Sequence, residues 1–205
     1  MVLKKIMGIF AITLLVGAAS FATAGVPDLN LSTATSASGG TTVVMFNLPN
    51  GGGDAFADAT GGSAVISLTL VDGLGAVIAN FPAEDMWLES VDGALLACGG
   101  GTVADFNSNA AGETSWVAPM QAMGASEAGT LVMISGTALV APALAISHNS
   151  ADVNGDGAVS LPDVSLFAGD LNGGLNPFRS DFKYDGLVSL PDVSKLAGGL
   201  GASCP

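Results

Sequence analysis

Apolar positions along this chain change period once. Between residues 41 and 148 they alternate or run in short blocks closed by Gly, Pro, Asn and Asp; after residue 160 they recur at helical spacing. Residues 41–48 (T-T-V-V-M-F-N-L) are β-branched and aromatic and end at Pro49-Asn50 and three glycines, which predicts a first core strand. In 64–71 the alternation places Ile66, Leu68 and Leu70 inward and Ser67 and Thr69 outward. Asp72-Gly73-Leu74-Gly75 is a turn, and 76–79 continues the strand until Phe81-Pro82. Residues 86–91 predict a strand with Met86 and Leu88 on one face and Trp87 on the other, turning at Asp92-Gly93 into 94–98. Further strands are expected at 113–117, at 129–135 (apolar on both faces, hence central) and at 143–148. Short strands at roughly ten-residue intervals predict a mainly β fold, an antiparallel β-sandwich over 41–150. Residues 25–40 read as a leader or edge segment, and 147–150 as a short joint.

The carboxyl-terminal quarter carries a duplication. Residues 152–163 read D-V-N-G-D-G-A-V-S-L-P-D and residues 181–192 read D-F-K-Y-D-G-L-V-S-L-P-D, with V-S-L-P-D-V-S unchanged in both copies. Oxygen side chains stand at loop positions 1, 3, 5, 9 and 12 of the first copy: Asp152, Asn154, Asp156, Ser160 and Asp163. Gly157 holds position 6, and Ala158 at position 7 would offer its carbonyl. A hard cation such as calcium takes about six to eight oxygens in that spacing. The second copy keeps Asp181, Asp185, Leu187 (by its carbonyl), Ser189 and Asp192. It places Lys183 at position 3, where an amine cannot ligate a cation and repels one.

Each loop leads into a predicted short helix. Ser160 and Ser189 are placed to cap, and Pro162 and Pro191 fall in the first turn, where a missing N–H does no harm. Val164, Phe167, Ala168 and Leu171, and likewise Val193, Leu196, Ala197 and Leu200, form one apolar face. A backbone bridge between the loops at position 8, Val159 to Val188, is also expected.

A duplicated loop–helix with Asp at position 12 and no strong helix ahead of the loop resembles the type I dockerin module, over 151–201, followed by a tail at 202–205. The resemblance implies a small α module with two EF-hand-type calcium loops. It also implies a cohesin-like protein partner, met through loop positions 10 and 11 and the helix behind them. Here the implied partner-binding residues are Leu161, Pro162, Phe167, Leu190, Pro191 and Leu196, with Leu-Pro in place of the hydroxyl pairs common in cellulosomes. The stretch S-L-T-L-V-D-G-L-G-A-V-I-A-N-F-P, then W-L-E-S and A-G-E-T-S-W, is similar to bacterial Ig-like domains of the invasin type, over about 63–136.

Composition narrows the function classes. Residues 1–24 pair Lys4 and Lys5 with an apolar run and Ala22-Thr23-Ala24, the pattern of a cleaved secretory signal peptide. The expected location is extracellular or at the cell surface, with no membrane span after cleavage. Beyond the leader only Arg179, Lys183 and Lys195 oppose 18 acidic residues, which makes nucleic acid a poor partner and divalent cations good ones. Cys98 and Cys204 are either a bridge pinning the carboxyl terminus to the first domain or two separate thiols. Asp54 and Asp58 are a lesser cation candidate, and Trp87 and Trp116 either stack on sugars or belong to the core. A lone His148 and two distant cysteines give a hydrolytic triad no parts, so no enzyme is expected. Three readings remain open: assembly through a cohesin-like partner, in an extracellular and possibly polysaccharide-degrading complex; a self-associating surface or fibre protein docking the module on its own or a neighbouring sandwich, with calcium as the lock; and an accessory subunit of a glycoside hydrolase.

Overall fold

The computed structural model describes residues 25–56, 62–173 and 178–205. The expected signal segment at 1–24 and Asp58 lie outside them. Within these residues the chain is mainly β, with ten strands and two α-helices.

Strands β1 (Thr33–Ser36), β3 (Ile66–Thr69) and β6 (Glu113–Trp116) form one antiparallel sheet in the order β1-β3-β6. Residues 33–36 are therefore an edge strand of the sheet rather than a leader. A second sheet runs β4-β8-β9, from Met86–Ser90, Thr130–Ile134 and Thr137–Ala138. The alternation read from the sequence decides the packing: Ile66, Leu68 and Trp116 from the first sheet and Met86, Leu88, Val132 and Ile134 from the second all enter one core. The apolar run at 129–135 takes the middle of its sheet, as a strand with partners on both sides should. Residues 76–79 form no strand, only a bridge from Val77 to Val71.

Two further pairs join the sheets to the carboxyl-terminal part. Leu96–Ala97 (β5) meets Ala122–Met123 (β7). Val43–Asn47 (β2) lies beside Ile146–Ser150 (β10), and this pair is parallel. The expected all-antiparallel arrangement is corrected here. The expected joint at 147–150 is corrected too, because those residues are strand and every residue of β10 is buried. A strand buried on both sides has no solvent face, so the usual alternation gives way to mixed polar and apolar residues that must each find a partner.

His148 shows how. It is fully buried, with Nε2 2.7 Å from Thr130 Oγ1 and Nδ1 3.4 Å from Asn47 Nδ2. The Thr130 hydroxyl donates to the Ile146 carbonyl. Nε2 therefore carries the proton and Nδ1 accepts from the Asn47 amide, a neutral ring. Burial drives its pKa from 6.5 down to about 4, opposed by the Asp92 charge.

Helices α1 (Leu161–Leu171) and α2 (Leu190–Gly199) close the fold on the other side of β2. Phe46 and Leu48 alternate outward from the first core and meet Ala151, Val159, Phe167, Phe182, Leu196 and Ala202 in a second one. Three rings fill it: Phe46 to Phe182 at 5.1 Å between centroids, and Phe167 stacked on Phe182 at 5.7 Å. At Gly199 an added Cβ would lie 2.7 Å from Leu48 Cδ2 and 3.1 Å from Ala151 Cβ, so α2 seats closely on the sandwich. The expected helix faces are narrower than the period implied. Phe167 and Leu196 are buried, whereas Ala168, Leu171, Ala197 and Leu200 are exposed. The buried stripe on α1 instead runs Asp163, Phe167, Asp170.

Two outcomes follow. Phe182→Ala empties the centre of the second core and should cost about 3–5 kcal/mol in denaturant unfolding. For His148 the unfolded chain takes up a proton first, near pH 6.5, and the folded chain only near pH 4. Stability is thus complete above pH 6.5 and falls through that window, by a loss of order ~3 kcal/mol. The difference between wild type and His148→Gln, measured at pH 7 and pH 4.5, should isolate this loss; parallel curves would exclude it.

Candidate functional site

The two loops are built alike from the backbone up. In the first, Asp152 is fully buried and caps its own turn: Oδ1 accepts from the Gly155 and Asp156 amides, at 2.8 and 3.2 Å, and Oδ2 from Gly157 at 2.8 Å. Gly157 adopts φ +93°, a left-handed conformation that glycine takes without steric cost. Asp163, also fully buried, spans the loop from the far end. Its Oδ1 accepts from Asn154 N at 3.0 Å and its Oδ2 from Ser160 N at 2.8 Å, the latter starting α1. Asn154 Nδ2 donates to Asp156 Oδ2 at 2.9 Å.

The second loop repeats these bonds. Asp181 accepts from Asp185 N and Gly186 N, and Asp192 from Lys183 N and Ser189 N. It differs at position 4, where Tyr184 holds φ +49°, a conformation that costs a side-chain residue about 1–2 kcal/mol. It differs again at Lys183, which lines a cleft of about 480 Å³ with Phe46, Leu48, Asp54, Pro191 and Lys195. Among the described residues the salt bridges are Arg179–Asp170 and Lys195–Asp54, so Lys183 makes no ion pair with its loop's carboxylates.

Electrostatics set the loops apart from ordinary turns. Burial pushes the Asp152 carboxyl above the usual aspartate range, against three backbone hydrogen bonds that lower it, and the Asp163 charge adds to the rise. Asp181 is raised in the same way by burial, with Asp192 and Asp185 adding to it. Each loop thus turns like charges toward one another in a partly dry site. The donors are all oxygens: carboxylates, one amide, hydroxyls and the free carbonyls of Ala158 and Leu187. That chemistry fits a hard divalent cation. In the structure the carboxylates are turned to their own loop amides, and among the described residues no three His, Cys, Asp or Glu side chains converge as a metal-binding group.

The expected partner surface divides. Leu161 and Leu190 are each 78% exposed, and Pro162 and Pro191 are exposed beside them. Phe167 and Leu196 lie in the second core and are withdrawn from any partner. The expected Val159–Val188 bridge is not formed, because the tail takes its place: Val159 N donates to Ala202 O and Gly201 N to Val159 O. The tail at 202–205 is therefore part of the module, and Cys204 is bonded to Cys98 with Cα atoms 5.5 Å apart. Of the lesser candidates, Asp54 pairs with Lys195, Trp116 is core with Nε1 donating to Thr102 O, and Trp87 donates to Glu89.

Other contributors have no motif to announce them. Asn149 on β10 donates to the Asp181 carbonyl at 2.8 Å, and Ser150 Oγ accepts from Asp152 N at 3.2 Å, so one strand holds the first residue of both loops. Asp170 takes two bonds from Arg179, at 2.7 and 3.1 Å, and one from Ser180. Burial opposes its charge, but these bonds hold its pKa below the ordinary range. The sequence signal was its place seven residues after Asp163, on the buried stripe.

Comparison with protein-family models and with curated proteins gives no match. Among solved structures, the chain is similar to the crystal structure of the Lin-41 filamin domain, at 12% identity over 60% of this chain and 95% of that one, with a TM-score of 0.30. A likeness that slight carries no argument about function.

Asp163→Ala removes both the helix cap and the tie to Asn154. It should lower stability by about 1–3 kcal/mol in chelator and speed amide exchange in α1 more than in β8.

Proposed function

We propose that this chain is a secreted, non-catalytic protein in which a dockerin-like pair of EF-hand-type calcium loops is docked on its own Ig-like β-sandwich, with calcium as the structural lock. The observation that carries this reading is the seam itself. Phe167, Phe182 and Leu196, the apolar faces of the loop–helix pair, are spent on Phe46 and Leu48 of the sandwich. In the first loop Asp152, Asn154, Asp156, Ser160, Asp163 and the Ala158 carbonyl would hold the ion. In the second Asp181, Asp185, Ser189, Asp192 and the Leu187 carbonyl would do so, more weakly because of Lys183. Bound calcium would supply the positive charge that lets the buried carboxylates stay ionised. The signal segment and the Cys98–Cys204 bridge support an oxidising, extracellular setting.

A second reading is assembly with a cohesin-like protein, within a complex that degrades polysaccharides. The observation favouring it is the pair of exposed Leu-Pro steps, Leu161-Pro162 and Leu190-Pro191, at the starts of the two helices.

The test is thermal unfolding with calcium and with chelator. Saturating calcium should raise Tm by several degrees, by the linkage RT ln(1 + [L]/Kd). Asp152→Ala should remove more of that gain than Asp181→Ala. The gain should shrink as pH falls, because protons compete for carboxylates whose pKa is already raised. An unchanged Tm in millimolar-range calcium would reject the lock. Size-exclusion of the pure protein tests self-association. Calcium-dependent oligomers support a self-built surface layer or fibre, and a monomer in both conditions rejects it and leaves the lock within one chain.

A further inference from the structure

Gly201 N donates to Val159 O at 3.0 Å, Val159 N to Ala202 O at 2.8 Å and Cys204 N to Gly157 O at 2.9 Å, and Ser203 stands opposite Ala158. The tail therefore runs as a short antiparallel strand along loop positions 6 to 8. It takes the carbonyls of Gly157 and Val159 and leaves that of Ala158, position 7, between them. The Ala158 amide is held separately, by Asp156 Oδ1 at 3.1 Å. A carbonyl flanked by two fixed neighbours is itself fixed in direction. Among the described residues nothing pairs with the second loop in this way; there the Leu187 amide bonds only to Asp185 Oδ1.

What holds the tail beyond Ala202, which enters the second core, is the bridge. Ser203 and Pro205 on either side of Cys204 are exposed and bury no apolar surface. Cys98 is buried, and its amide donates to Gln121 O at 2.9 Å beside the β5–β7 pair. The bridge thus fastens the tail to the sandwich, and Cys204 Sγ lies 3.7 Å from where a Cβ on Gly157 would stand.

We propose that the tail is a positioning element of the first loop, and that the Cys98–Cys204 bridge sets the calcium affinity of that loop and not of the second. The proposal rests on the calcium reading given above. Its redox step balances with a dithiol. The reductant's two thiols give two electrons and two protons, the protein gains the Cys98 and Cys204 thiols, and the reductant leaves as a cyclic disulfide.

Calorimetric calcium titration tests it. Asp185→Ala leaves the first loop as reporter and Asp156→Ala leaves the second, each prepared with the bridge intact and as Cys98→Ser/Cys204→Ser. Loss of the bridge should weaken the first loop's affinity about tenfold or more and leave the second unchanged. Equal affinity with and without the bridge in the Asp185→Ala protein overturns the proposal, as does an equal loss in both loops, which would mark general loosening. Absence of calcium binding to the bridged wild type overturns the calcium reading and the proposal with it. A second measurement needs no variant: the equilibrium between oxidised and reduced wild type in dithiothreitol. Linkage requires calcium to shift it toward the disulfide by the factor that reduction takes from the affinity; no shift overturns the proposal even if the serine variant fails to fold.

Discussion

Everything at the carboxyl end depends on β10 lying parallel to β2. A parallel neighbour cannot be reached by a tight turn, so nearly the whole sandwich is built between the two strands. The pairing brings the end of the last strand beside Phe46 and Leu48. Those two side chains face away from the first core and would otherwise be a bare apolar patch. The loop–helix pair covers them, and β10 continues without a break into the first loop. The orientation of the module is thus set by strand register, which resists sliding far better than a linker does.

The second constraint is electrostatic. The module is small, and four of its buried side chains are loop carboxylates: Asp152, Asp163, Asp181 and Asp192. Backbone amides satisfy their oxygens, which fixes the loops' shape without neutralising their charge. Asp170 is the contrasting case, buried as well but facing Arg179. One carboxylate is held below its ordinary range and two above it, on the same physics of burial and neighbouring charge.

Much of this was legible in the sequence, and the reasons are local. Period-2 alternation placed Ile66, Leu68, Met86 and Leu88 correctly because their other face meets solvent or small polar residues. Loop spacing placed Asp152 and Asp163 at opposite ends of one turn because glycine positions and caps are short-range chemistry. What escaped was long-range. Nothing near Thr33 says that it will pair with Thr69. The strand expected to end at His148 runs on to Ser150, and nothing in it signals burial on both sides, since its polar residues answer to Thr130, Asn47 and Asp181 far away in the chain. The helical period overstated the buried face for a related reason. A helix of three turns touching a single ring cluster buries a stripe narrower than its apolar residues could cover. Phe167 and Leu196 went inward because Phe182, unremarkable inside the second of the duplicated loops, was there to receive them.

The bridge also makes a closed ring of the chain, spanning 106 residues. A single peptide-bond cleavage anywhere inside that ring opens it without freeing a fragment. Such a molecule keeps its mass apart from one added water, and its carboxyl-terminal piece stays tethered where it can re-dock. The first cut is thus topologically silent, and only a second cut or a reductant makes it a loss.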